Sequence, residues 1–83
     1  MNENKIHQFL IQYVAEHERM PTRIPGWFTD YKLVDMDRED ESIVLTYRKG
    51  SRCIDVHVKY MVLSTMQFIW KIRGVYIWKL EDD

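Results

Sequence analysis

The stretch Ile43-Val44-Leu45-Thr46-Tyr47-Arg48-Lys49-Gly50-Ser51-Arg52-Cys53-Ile54-Asp55-Val56-His57-Val58 decides the fold. Ile43, Leu45 and Tyr47 alternate with Val44, Thr46 and Arg48, and Ile54, Val56 and Val58 alternate with Cys53, Asp55 and His57. A period of two places successive side chains on opposite faces, so both runs read as strands with one apolar face. Lys49-Gly50 between them reads as a tight hairpin turn, with glycine supplying the positive φ. That turn sets Leu45 opposite Ile54 and Ile43 opposite Val56.

Upstream, Val34 and Met36 alternate with Leu33, Asp35 and Asp37. A turn at Glu39-Asp40 sets Met36 opposite Ile43 and Val34 opposite Leu45, so the same face stays apolar through three strands, which a slipped register would not give. Downstream, Met66 to Ile72 and Val75 to Leu80 flank Arg73-Gly74, which reads as another short turn pairing Trp70 with Ile77 and Ile69 with Trp78. Residues 61 to 65 fit no single pattern. Val62, Leu63, Met66, Ile69 and Trp70 also match helical spacing, so a helix over about 60–72 competes; the aromatic and β-branched content favours strands.

The N-terminal segment changes period. Ile6, Phe9, Leu10, Tyr13, Val14 and His17 recur at the spacing of one helix face. Asn2 or Asn4 suits the N-cap and Pro21 bars continuation, which predicts a helix near residues 4–19. Residues 20–30, with Pro21, Pro25 and Gly26, read as a loop; Ile24, Trp27 and Phe28 predict that it packs down. The run Ile6 to Thr22, ending Glu-His-Glu-Arg-Met-Pro-Thr, resembles the opening helix of winged-helix repressors. Pro25-Gly26 stands where a second helix would begin, so the likeness extends to neither fold nor function.

The expected fold is a single α+β domain over 1–83. An N-terminal amphipathic helix packs on one face of an antiparallel sheet of about five strands, a meander of hairpins. Its core is Phe9, Leu10, Tyr13 and Val14 against Val34, Met36, Ile43, Leu45, Ile54, Val56 and Val58. Eighty-three residues leave no room for a second core. A composition 46% hydrophobic and 30% charged is that of a folding chain.

Few chemistries find residues to carry them. One cysteine, Cys53, excludes an internal disulfide framework and a multi-thiolate zinc site. Cys53, Asp55 and His57 share a strand face and suggest a nucleophile, an acid and a base. However, strand residues four apart lie about 13 Å from one another at about 3.3 Å per residue. His7 and His17 are about 15 Å apart along one helix, too far to share a metal ion, and His17 is expected to pack against the sheet edge. Single glycines at Gly26, Gly50 and Gly74 make no phosphate-binding loop. No catalytic residue, metal or cofactor is therefore expected. The polar opening Met1-Asn2-Glu3-Asn4-Lys5, with no long apolar run behind it, predicts no signal peptide, no membrane association and a cytoplasmic setting.

Two surfaces remain. Ile69, Tyr76, Trp78 and Leu80 fall on the strand face opposite Met66, Phe68, Trp70, Ile72 and Ile77. A single helix covers only one face of a sheet, so this second face is either covered by the loop with Trp27 and Phe28 or left for a partner. The leading expectation is a non-catalytic protein-interaction module, such as a small regulator or inhibitor of a larger protein, with self-association through the C-terminal hairpin as a variant. The other surface is a basic pole. In a meander, the helix-to-strand loop and the turns at Lys49-Gly50 and Arg73-Gly74 fall at one end, gathering Arg19, Arg23, Arg48, Lys49, Arg52 and Arg73, diluted by Glu16, Glu18 and Asp30. Glu39-Asp40 and Glu81-Asp82-Asp83, with Asp37 and Glu41, fall at the other. Nucleic-acid binding through Arg48, Lys49, Arg52 and Arg73 is the alternative function, despite a net charge of −1.

Overall fold

The computed structural model describes residues 2–64 and 67–81, with the side chains of 62–64 and 67–69 outside that description. Helix α1 spans Glu3–His17, followed by strands β1 (Arg23–Ile24), β2 (Tyr31–Glu39), β3 (Ser42–Lys49), β4 (Arg52–Ser64) and β5 (Gln67–Lys79). All neighbours are antiparallel and the sheet order is β1-β2-β3-β4-β5, a meander curled into half a barrel with α1 on β5. The fold is α+β, as the alternating and helical periods imply.

Asn2 is the N-cap of α1, its side-chain oxygen accepting from the Lys5 amide at 2.9 Å. The helix ends at Glu18, whose φ of 57° turns the chain out of helix while its amide donates to the Val14 carbonyl. Ile6 and Leu10 are buried, and Phe9 and Val14 pack against the same core. His17 does not pack against the sheet edge as expected: it is exposed, and its ring stacks on Tyr13 with centroids 4.1 Å apart, its Nδ1 within hydrogen-bond reach of the Tyr13 carbonyl. The chain then crosses the inner face of the sheet with Met20 and Pro21 buried, and Tyr47 donates its hydroxyl hydrogen to the Pro21 carbonyl at 2.7 Å. The inner core is Ile24, Tyr31, Ile43, Leu45, Tyr47, Ile54, Val56, Val58 and Val75, beneath Ile6, Leu10 and Met20.

Several expectations need correction. The β2–β3 and β3–β4 registers are each displaced by two residues. Leu45 pairs with Met36 and Val56, and the turns fall at Asp40-Glu41 and Gly50-Ser51, with Asp40 and Gly50 at φ of 50° and 60°. A shift of two preserves the faces, so the apolar face stays apolar. β2 carries a bulge between Leu33 and Asp35. One extra residue there inverts the alternation, turning Leu33 inward and leaving Val34 exposed. Met36 is also exposed, because α1 covers β5 at the far side of the sheet.

The largest correction concerns Arg73-Gly74. It is no turn. β5 runs unbroken through it, pairing Tyr60 with Trp70 and Ile54 with Ile77, and the register slips by one residue opposite His57 and Val58. β4 extends through Ser64, so neither the ambiguous reading of 61–64 nor the competing helix holds. The five strands include β1, which lies inside the segment expected to be loop. Within that segment Ile24 is buried as expected, whereas Trp27 and Phe28 are 84% and 91% exposed and touch only as an edge-to-face pair 5.9 Å apart.

Candidate functional site

Because paired residues project to the same side of a sheet, the register assigns the outer face. One row across it is Arg23, Lys32, Arg48, Cys53 and Trp78; the next is Asp35, Thr46, Asp55 and Tyr76; the next is Asp37, Val44, His57 and Gly74. Among the described residues no helix lies on this side, and Trp27 and Phe28 are too exposed to be packed over it. Tyr76 is 55% exposed and Trp78 40%.

Both rings have defined seats. Tyr76 lies back over Gly74, where an added Cβ would come within 2.9 Å of its hydroxyl oxygen, and meets the His57 ring edge-to-face at 4.9 Å. Gly74 therefore leaves the floor on which this ring rests. Trp78 is the direct neighbour of Cys53, which is only 2% exposed although it faces away from the core. Its flanking outer-face neighbours are Arg48 and Trp78, so these side chains shield the thiol. Leu80 follows, half-buried, its amide donating to the Ser51 carbonyl at 2.7 Å. The Ile69 side chain, also expected in this surface, lies outside the described residues, as does that of Phe68; Met66, Asp82 and Asp83 lie outside altogether.

The basic pole assembles only in part. Arg48, Lys49 and Arg52 flank the Gly50-Ser51 turn on two faces: Arg48 stands in the outer row with Arg23 and Lys32, whereas Lys49, Arg52 and Lys79 form the row of the opposite face. Lys49 places its ammonium 4.7 Å from the Tyr31 ring centre, and Arg48 Nε donates to the Gly50 carbonyl at 2.7 Å. Arg73 is elsewhere. The bulge holds it at the acidic turn, in an outer-face concavity shared with Asp40, Glu41, Ser42, His57 and Lys59. Arg19 sits on the crossover, and Glu81 joins the basic end because Leu80 is tied to Ser51. Unbroken pairing through β5 causes both displacements: without a turn at residue 73, the strand carries Arg73 into mid-sheet and brings Leu80 and Glu81 back to the Gly50-Ser51 end.

The chemistry of Cys53, Asp55 and His57 is not that of a nucleophile set. Asp55 accepts the Thr46 hydroxyl hydrogen at 2.9 Å. Burial pushes the Cys53 thiol up, the Arg48 charge opposing and the Asp55 charge adding, which disfavours the reactive thiolate. Among the described residues no three His, Cys, Asp or Glu side chains are grouped to hold a metal, and no helix is long and apolar enough to cross a membrane. No known protein family, curated protein or solved structure matches the chain.

Sequence reasoning missed Lys32 as a member of the basic row and Arg73 as a member of the acidic-turn concavity. Neither had a signal in spacing along the chain: the plain alternation of β2 puts Lys32 on the face of Val34 and Met36, and only the bulge after Leu33 turns it outward, just as the bulge in β5 displaces Arg73.

Proposed function

We propose that the chain is a non-catalytic, cytosolic protein-binding module, a small regulator or inhibitor that docks on a larger protein through the outer face of β4 and β5. The observation that supports it is the pair Tyr76 and Trp78, half-exposed on a sheet face over which no described residue forms a layer. Rings already resting on Gly74 and Cys53 lose little side-chain freedom on binding, and Tyr and Trp are the residues most enriched among binding hot spots. Leu80 forms the rim.

The test is capture from the native host with wild type and with Tyr76→Ser and Trp78→Ser, alongside thermal melts and light scattering. Each substitution is expected to weaken retention of a specific protein by about 2 kcal/mol, or about thirtyfold, while leaving the melting temperature nearly unchanged. Retention unaffected by the double variant removes the reading. A wild type that scatters as a dimer, and a double variant that scatters as a monomer, assigns the face to a second copy of the chain.

A further inference from the structure

We propose that the loop between β1 and β2 makes a second, separate contact, with the anionic surface of a lipid bilayer. Among the described residues Trp27 and Phe28 are the most exposed large apolar side chains, at 84% and 91%. Apolar residues scattered singly on a surface are ordinary. Two adjacent rings, edge-to-face at 5.9 Å and almost wholly in solvent, form instead a protruding apolar tip.

The topology sets this tip among cations. In the meander the β1–β2 loop, the Gly50-Ser51 turn and the end of β5 share one end of the sheet. Gly26, next to Trp27, lies against Lys49: a Cβ added there would come within 2.8 Å of the Lys49 ammonium. Arg23, Lys32 and Arg48 stand behind the tip in one row of the outer face, and Lys49, Arg52 and Lys79 in a row of the opposite face. Among the described residues the one ion pair is Lys59 with Glu41, at the other end of β3 and β4, so no cation of either row is paired with a carboxylate. Asp30 and Glu81 dilute this end, and Asp82 and Asp83 lie outside the described residues.

An apolar tip with cations behind it suits a bilayer interface. Aromatic rings, tryptophan above all, settle at headgroup level, and Lys and Arg are drawn to anionic lipids. A single nucleic-acid strand is held in a basic groove with rings along it, whereas Trp27 and Phe28 are too exposed to line a groove. The expectation of no membrane association rests on the lack of a long apolar run; a surface contact needs none. The tip shares no side chain with the Tyr76 and Trp78 face, so the two proposals stand or fall separately.

Co-sedimentation with vesicles tests this, using phosphatidylcholine alone and phosphatidylcholine mixed with phosphatidylserine. The mixed vesicles are expected to bind at least about tenfold tighter, with affinity falling as salt rises. Trp27→Ser with Phe28→Ser is expected to weaken that binding by about tenfold or more, and Arg23→Gln with Lys32→Gln by a similar factor, each at an unchanged melting temperature. Tyr76→Ser with Trp78→Ser is expected to leave it unchanged. No binding to the mixed vesicles, equal binding to both kinds, or binding that survives the loss of Trp27 and Phe28 overturns the proposal. Binding of oligothymidylate tighter than that of the mixed vesicles, and lost with the same substitutions, reassigns the tip and its cations to nucleic acid. Host-protein capture that depends on Trp27 and Phe28, without vesicle binding, reassigns them to a protein partner.

Discussion

Cys53 shows how one residue's position on a sheet governs its chemistry. It projects to the uncovered side, yet its neighbours seal it, and burial raises its pKa with Arg48 opposing and Asp55 adding. The folded chain holds this proton at a pH where the unfolded chain releases it. The stability associated with the neutral thiol is therefore complete below the ordinary thiol range and declines as pH rises toward the folded value. The limiting slope is about 1.4 kcal/mol per pH unit for one proton. Urea midpoints between about pH 8 and 10 are expected to fall less steeply for Cys53→Ala than for wild type. Identical slopes would show that the thiol titrates alike in both states. Tyr47, also pushed up by burial and by Tyr13, acts in the same sense only at higher pH.

The elements carry small strains that local substitutions report. Glu18 closes α1 at a φ of 57°, a left-handed conformation that costs a residue with a Cβ about 1–2 kcal/mol. Glu18→Gly is expected to raise stability by about 1 kcal/mol in denaturant unfolding, with no change in binding, since the residue lies across the sheet from Tyr76 and Trp78. A loss of stability would mean that the Glu18 side chain holds the crossover in place. The bulges matter more than the caps. One in β2 exchanges Leu33 for Val34 on the inner face, and one in β5 sends Arg73 toward Glu41 and opens Gly74 beneath Tyr76. Both make the outer face what it is.

The whole molecule measures 46 × 25 × 18 Å, its length set by two strands of thirteen residues. Its inner face is closed by one helix and one crossover, so stability is concentrated where Ile6 and Leu10 meet β5 and its neighbours. Leu10→Ala is expected to cost about 2–5 kcal/mol, a large share of the about 5–15 kcal/mol available to a small domain, and to lower the melting temperature sharply. Phe28→Ala, at 91% exposure, is expected to leave it unchanged. Equal melts for the two variants would contradict the placement of α1 over the core.

Local periodicity alone determined the helix, the three strands built from residues 31–59 and the inward set Ile43, Leu45, Tyr47, Ile54, Val56 and Val58. Both signals, period two and period 3.6, are written into neighbouring residues, and a register error of two leaves them intact. The outward placement of Tyr76 and Trp78 was legible for the same reason. Tertiary structure decided the rest. A glycine after an arginine serves a turn or a bulge equally well, and only the continued pairing of β4 with β5 selects the bulge at Arg73-Gly74. Pairing across strands also determines which charges become neighbours, so the grouping of Lys32 with Arg23 and Arg48, and of Arg73 with Lys59, arises from register and not from spacing along the chain. Trp27 and Phe28 are apolar enough to pack down but lie beyond the helix-covered surface, and burial depends on what stands opposite a residue as much as on the residue itself.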